Sequence, residues 1–264
     1  MSSQPDQIIE ILRVGHDELD AFVTKLRPED LTRVSGASEW TVASVLSHLG
    51  SGAEIFLATL QAAVSGTGAP ANDFNQTVWD RWNAMSPSEQ AAGFLVANEK
   101  LVQAYEGLDE TQRQELRVKF GFMPEPLDVA TVLGMRLNEF TLHSWDVRVA
   151  FDSTAALAAD AVGPLLDSIN GTLAWAGKAD KLDGGARIAV RTTDPDRAFG
   201  IVIAESAQLS DEVPAPADAE LTAPAEYVVR FVTGRNSAQY TPASVQFTSE
   251  KLTLDDLRVV FPGY

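Results

Sequence analysis

A chain of 264 residues with 45% hydrophobic content has enough apolar material for one large or two modest cores. A formal net charge of −17 excludes the basic footprint that nucleic acid demands and disfavours anionic membrane surfaces, so a soluble protein is expected. Cysteine is absent, which excludes a disulfide framework, an internal thiolate nucleophile and a cysteine-ligated zinc; any sulfur chemistry needs a thiol from outside.

The N-terminal segment has no basic region followed by a long apolar run. No uninterrupted apolar stretch reaches the length of a membrane span, so neither signal peptide nor transmembrane helix is expected and the location read is cytoplasmic. Residues 5–27 read as an amphipathic helix with Ile8, Leu12, Leu19, Phe22 and Val23 on one side. "SEWTVASVLSHLGSGAEIFLATLQAAVSG" predicts a second helix, capped at Thr41 and stopped at Gly66. A mixed segment follows, with a short helical piece around Trp79 and Trp82. "SPSEQ" then supplies Ser86 as N-cap, Pro87 at the first helical position and Glu89 three residues on, a capping box opening a helix to about Gly107. The charges of "LDETQRQELR" read as a solvated face, and "FGFMPEPLD" breaks the pattern before a fourth long helix from about Asp128 to Phe151. Four helices with these joins predict a four-helix bundle.

The texture then changes. An alanine-rich helical connector leads to two β-rich runs around "DPD", read as a hairpin. "AELTAPAEYVVRFVTGR" reads as a strand entering a helix that Gly234 ends, and "LTLDDLRVVF" as a last short helix, with "VPAPADAE" a proline-bearing loop. The expected class is α+β: a bundle over 1–155, a connector over 156–181 and a small α+β domain over 182–264.

The fourth long helix carries the chemistry. At 100° per residue Glu139, His143 and Asp146 fall at about 0°, 40° and 340°, a narrow ionisable stripe on a helix otherwise apolar nearly all round. Burying such groups is costly unless they are paired or metal-bound. Glu139 and His143 stand at i and i+4, pointing two donors the same way, and His48 is the natural third donor from another helix. Two histidines and a glutamate with a position left open match a catalytic zinc site; a structural Glu–His hydrogen bond is the competing reading. Asp146, one turn on, can orient a ligand histidine or handle a proton. His16, between Leu12 and Leu19, reads as a satisfied core histidine, and Trp40, Trp79, Trp82 and Trp145 as packing residues. The glycine-rich, P-loop and GxSxG signatures are missing, which argues against nucleotide-dependent and serine-hydrolase chemistry.

"SEWTVASVLSHLG" with His48, "NEFTLHSWDV" with Glu139, His143 and Asp146, and "VTGRNSAQ" with Arg235 together resemble the mycothiol-dependent maleylpyruvate isomerase group of the DinB-like four-helix superfamily. That resemblance implies a DinB-like metal-binding bundle joined to a small α+β domain similar to sterol-carrier folds. It implies Zn2+, or another divalent metal, on His48, Glu139 and His143, with Asp146 functional. Mycothiol, the low-molecular-weight thiol of actinobacteria, is implied as cosubstrate. Arg235 is the match for a functional C-terminal arginine, with Arg230 close by, and its fork would suit a substrate or cofactor carboxylate.

The activity expected is thiol transfer to an electrophilic small molecule such as maleylpyruvate, or its thiol-assisted cis–trans isomerisation. A zinc hydrolase working through metal-bound water and a non-enzymatic small-molecule binding protein are the alternatives. A small-molecule substrate and the thiol are the partners, with neither nucleic acid nor membrane, in a monomer or homodimer.

Overall fold

The computed structural model describes residues 4–37 and 39–263, and the chain folds as two compact units, Met1–Asp152 and Ser153–Tyr264. The first unit contains α1 (Gln4–Val23), α2 (Val42–Ser65), α3 (Phe74–Asn83), α4 (Pro87–Glu106), α5 (Glu110–Glu115) and α6 (Val129–Val149). A two-stranded hairpin, β1 (Arg117–Val118) and β2 (Leu127–Asp128), lies between α5 and α6.

Local chemistry sets most of these boundaries. The Thr41 hydroxyl accepts the Ser44 amide at 3.1 Å and opens α2, which closes at Gly66 with φ +68°, a left-handed turn that costs glycine nothing. Ser86 and Glu89 form the reciprocal capping box of α4, and Asp128 accepts the Thr131 amide at 2.7 Å to start α6. Helix α1 stops at Val23, four residues before the expected end. Pro28 disfavours helical geometry at Arg27, whose amide turns instead to the Asp30 carboxylate at 3.1 Å. As expected, α5 buries no side chain.

The four long helices close into a ring in which α1 packs on α4 and α6, and α2 packs on the same two, so α1 and α2 take opposite corners. Leu12, Leu19, Leu46, Leu49, Phe94, Leu101, Leu133, Leu137 and Trp145 fill the interior. Helix α2 has the length and hydropathy to cross a membrane, yet most of its apolar side chains are core of this bundle. Beside the ring, α3 lays Trp82 over the backbone of α2, where a Cβ on Gly50 would stand 2.2 Å from the indole. Trp82 packs with Ile55 and Val78, and burying an indole is worth on the order of 4 kcal/mol. Trp145 is likewise buried, whereas Trp79 is exposed and does not fill the core role expected of it: it sits on the solvent side of a short helix whose buried residues are Val78 and Trp82.

The second unit is a five-stranded sheet in the order β5-β4-β3-β6-β7, with helices α7 (Ala159–Ala176), α8 (Ala225–Val232) and α9 (Leu254–Val260). Its strands are β3 (Ala186–Thr193), β4 (Arg197–Ile203), β5 (Ala207–Ser210), β6 (Ala219–Pro224) and β7 (Gln246–Thr248). The hairpin around "DPD" is β3 and β4, paired antiparallel with Ile188 opposite Ile201 and Val190 opposite Phe199. Strands β3 and β6 run parallel, and α8 continues directly from β6 to pack Tyr227, Val228 and Phe231 into the core. The alanine-rich segment forms α7, which packs on α8 and β5. The arrangement is the α+β class expected.

Candidate metal centre in the helical unit

Helices α2 and α6, neighbours in the ring, carry the three candidate donors. His48 Nε2 donates to Glu139 Oε2 at 3.0 Å, and the same oxygen stands 3.7 Å from His143 Nε2. One donor atom from each of His48, Glu139 and His143 lies within 4.8 Å of the other two. A tetrahedral ion with ligand bonds of about 2.0–2.2 Å separates its donors by about 3.3–3.6 Å, so spacings of 3.0 and 3.7 Å suit a divalent cation with little rearrangement. The triangle is half-buried, with 39% of the His48 side chain and 30% of the Glu139 side chain exposed. The stripe is therefore less enclosed than the pattern of α6 alone implies, and one side is open to a ligand.

Asp146 is fully buried, at 0% exposure, and its Oδ2 accepts from His143 Nδ1 at 2.8 Å. With Nδ1 held by Asp146, the Nε2 edge of the ring faces Glu139 and the centre of the triangle. This is the carboxylate–histidine arrangement that orients metal ligands. Burial raises the pKa of Glu139, but the hydrogen bond from His48 and the nearby charges of His143, His48 and Arg136 outweigh it and hold the carboxyl at about 2. The group is a carboxylate at neutral pH, as a metal ligand must be.

Two residues beside the triangle were not marked as site residues in the sequence. Trp40, read as packing, places its indole 5.2 Å from the His48 ring and stacks on His143 at 5.9 Å with planes 15° apart. Arg136 lies one turn before Glu139 on α6, about 60° away around the helix, so the helical wheel itself carried that signal. It is 2% exposed and donates to Leu49 O at 3.1 Å and to Asn98 Oδ1 at 2.6 Å. Its partners are neutral, and burial pushes its pKa down to about 10.

Asn98 in turn donates to His16 Nδ1 at 2.8 Å, and His16 Nε2 meets Glu99 Oε2 at 2.9 Å. His16 is thus the satisfied core histidine expected. Glu99, His16 and Asp17 also form a cluster of metal-donor types, but Arg13 already bridges Asp17, Glu99 and Glu106 there.

In the second unit Arg235 is largely buried and donates through Nη1 to Thr233 O at 3.0 Å. Arg230, its neighbour in sequence, gives Nε and Nη2 to the two Glu226 oxygens at 2.7 and 2.8 Å, a structural ion pair.

A helical bundle with a His–Glu–His triangle between its second and fourth long helices, followed in the chain by a small α+β unit, defines a two-unit class. Within that class the chain belongs to the mycothiol maleylpyruvate isomerase family: residues 12–148 match the family described as Mycothiol maleylpyruvate isomerase N-terminal domain. Two solved structures share the fold along nearly the whole chain. One is a mycothiol-dependent maleylpyruvate isomerase, with TM-score 0.68 and 13% identity over 96% of this chain and 98% of that one. The other is a point mutant of mycothiol-dependent maleylpyruvate isomerase, with TM-score 0.68 and 12% identity over the same shares. No curated protein matches.

Proposed function

We propose that the protein is a divalent-metal enzyme, with zinc the preferred ion, that uses mycothiol to isomerise or S-conjugate an electrophilic small molecule of the maleylpyruvate kind. The observation that carries this reading is the convergence of His48, Glu139 and His143 with Asp146 behind His143. Family membership supports the thiol, and so does a chain with no cysteine of its own.

His48, Glu139 and His143 would hold the ion, and two neutral imidazoles with one carboxylate leave it a net positive charge able to attract an anionic sulfur. A bound divalent ion would supply acidification of an external thiol, whose reversible addition to an activated cis double bond frees that bond to rotate. Asp146 keeps His143 in one tautomer and one orientation. Glu139 stays ionised, and without the ion it accepts from His48 Nε2, which keeps the α2 imidazole beside α6. Arg235 is the residue proposed to recognise a carboxylate of substrate or thiol; Arg230 is committed to Glu226.

The test is zinc quantification in purified wild-type, His48→Ala and His143→Ala proteins, followed by mycothiol titration of the cobalt-substituted form. Metal in the wild type alone, with a thiolate–cobalt charge-transfer band on titration, is the expected result. Equal metal in both variants overturns the ligand assignment. Metal with no thiol-dependent change favours hydrolysis through metal-bound water instead.

A further inference from the structure

We infer that Trp40 is a positioning residue of the metal centre, fixing the orientation of the His48 imidazole as Asp146 fixes that of His143. The inference rests on reading His48, Glu139 and His143 as metal ligands, and it starts from an asymmetry between the two histidines. His143 has its second nitrogen tied to a buried carboxylate at 2.8 Å. Among the described residues the His48 ring makes one hydrogen bond, through Nε2 to Glu139, and that nitrogen is the one a metal would claim. Once it is claimed, no polar contact within the described residues orients the ring. His48 is also the more exposed of the two histidines, at 39% against 12% for the side chain, so solvent offers it an alternative direction.

Ring packing fills that role. The Trp40 indole contacts His48 at 5.2 Å and His143 at 5.9 Å, while the two imidazoles meet edge to face at 4.7 Å. Three rings in mutual contact leave His48 little freedom to rotate about χ2.

Trp40 is itself held by a built loop. The Ser35 amide donates to Trp40 O at 2.9 Å, and Val34 and Thr41 pair as an isolated bridge. The Gly36 amide donates to Asp146 O at 2.8 Å, and a Cβ on Gly36 would stand within 2.9 Å of Val149, Trp145 and the Asp146 carboxylate. Asp146 therefore anchors both devices: its side chain orients His143 and its carbonyl pins the loop that carries Trp40. This explains why a large apolar residue stands 39% exposed at the edge of a polar triangle.

Co2+ binding to wild type, Trp40→Phe and Trp40→Leu, measured by competition with a chromophoric chelator, tests the inference. Thermal unfolding of the metal-free proteins, followed by circular dichroism, selects folded samples. Each aromatic contact of this kind is worth about two- to twelvefold, and Trp40 makes two. Trp40→Leu is expected to bind Co2+ about tenfold more weakly, and Trp40→Phe, which keeps a ring against both imidazoles, within about threefold of wild type. Co2+ quenching of tryptophan fluorescence is expected to fall by at least half in Trp40→Phe although the ion still binds. Equal Co2+ affinity in wild type and folded Trp40→Leu overturns the inference and leaves the ligand assignment standing. A wild type that takes up no Co2+ overturns the ligand assignment, and the inference with it.

Discussion

Replacing Asp146 by asparagine changes one atom in a fully buried site and probes the step from packing to chemistry. The carboxylate accepts from His143 Nδ1 at 2.8 Å and has no exposed surface, so water cannot substitute for it. An asparagine of the same shape can offer its oxygen to Nδ1–H, keeping a weaker neutral bond, or its amide, which forces the proton to Nε2 and removes the lone pair from the centre. Hydrogen bonds to charged groups contribute about 1.5–3 kcal/mol against about 1 for neutral ones. Loss of a carboxylate behind a ligand histidine lowers metal affinity roughly 10- to 100-fold, which is about 1.4–2.7 kcal/mol. Zinc affinity by chelator competition, on samples shown to be folded, is the assay. Affinity within twofold of wild type in folded Asp146→Asn would refute the claim that this carboxylate organises the site.

Gly50→Ala should lower bundle stability by about 1–3 kcal/mol, because the new methyl falls 2.2 Å from the Trp82 ring; urea unfolding measures it, and an unchanged midpoint would mean that α3 is not packed as described. Stripping metal with a chelator should lower the melting temperature and restoring zinc should recover it, since an ion at a hundred times its dissociation constant adds about 2.7 kcal/mol. A melting curve indifferent to zinc argues against a filled site. His16 has its pKa lowered by burial, with Glu99 opposing and Arg13 assisting. Its folded value lies below the ordinary 6.5, so the unfolded chain binds the proton more readily. Stability from this group is therefore complete above about pH 7 and falls as pH drops below 6.5, by at most about 1.4 kcal/mol per pH unit. Glu99, lowered by Arg13, loses its contribution only below its ordinary 4.5, which separates the two windows. His16→Gln should flatten the slope between pH 6.5 and 5, and an unaltered slope would assign that proton uptake elsewhere.

Much of the architecture was legible one residue at a time. Thr41, Ser86 and Asp128 declare helix starts because a short polar side chain satisfies an amide within its own first turn. The i,i+4 spacing of Glu139 and His143 declares a shared direction, because a helix has only one pitch. The hairpin around Asp194 and Pro195 was equally readable from the β-rich runs beside it. The absence of cysteine decided that any thiol chemistry must use a thiol from elsewhere.

Only the tertiary structure decided which helices meet. With α1 and α2 at opposite corners of the ring, α2 lies beside α6 and brings His48 to within 3.0 Å of Glu139 across 91 residues of chain. The same closure placed Trp40 on two imidazoles and seated Arg136 between Leu49 O and Asn98. These relations depend on interhelical packing and on loops docking against distant main chain, as Gly36 does on Asp146. A periodic pattern states which face of a helix is buried; the partner of that face is settled by the joint packing of all the helices, because apolar contact is favourable with any complementary surface.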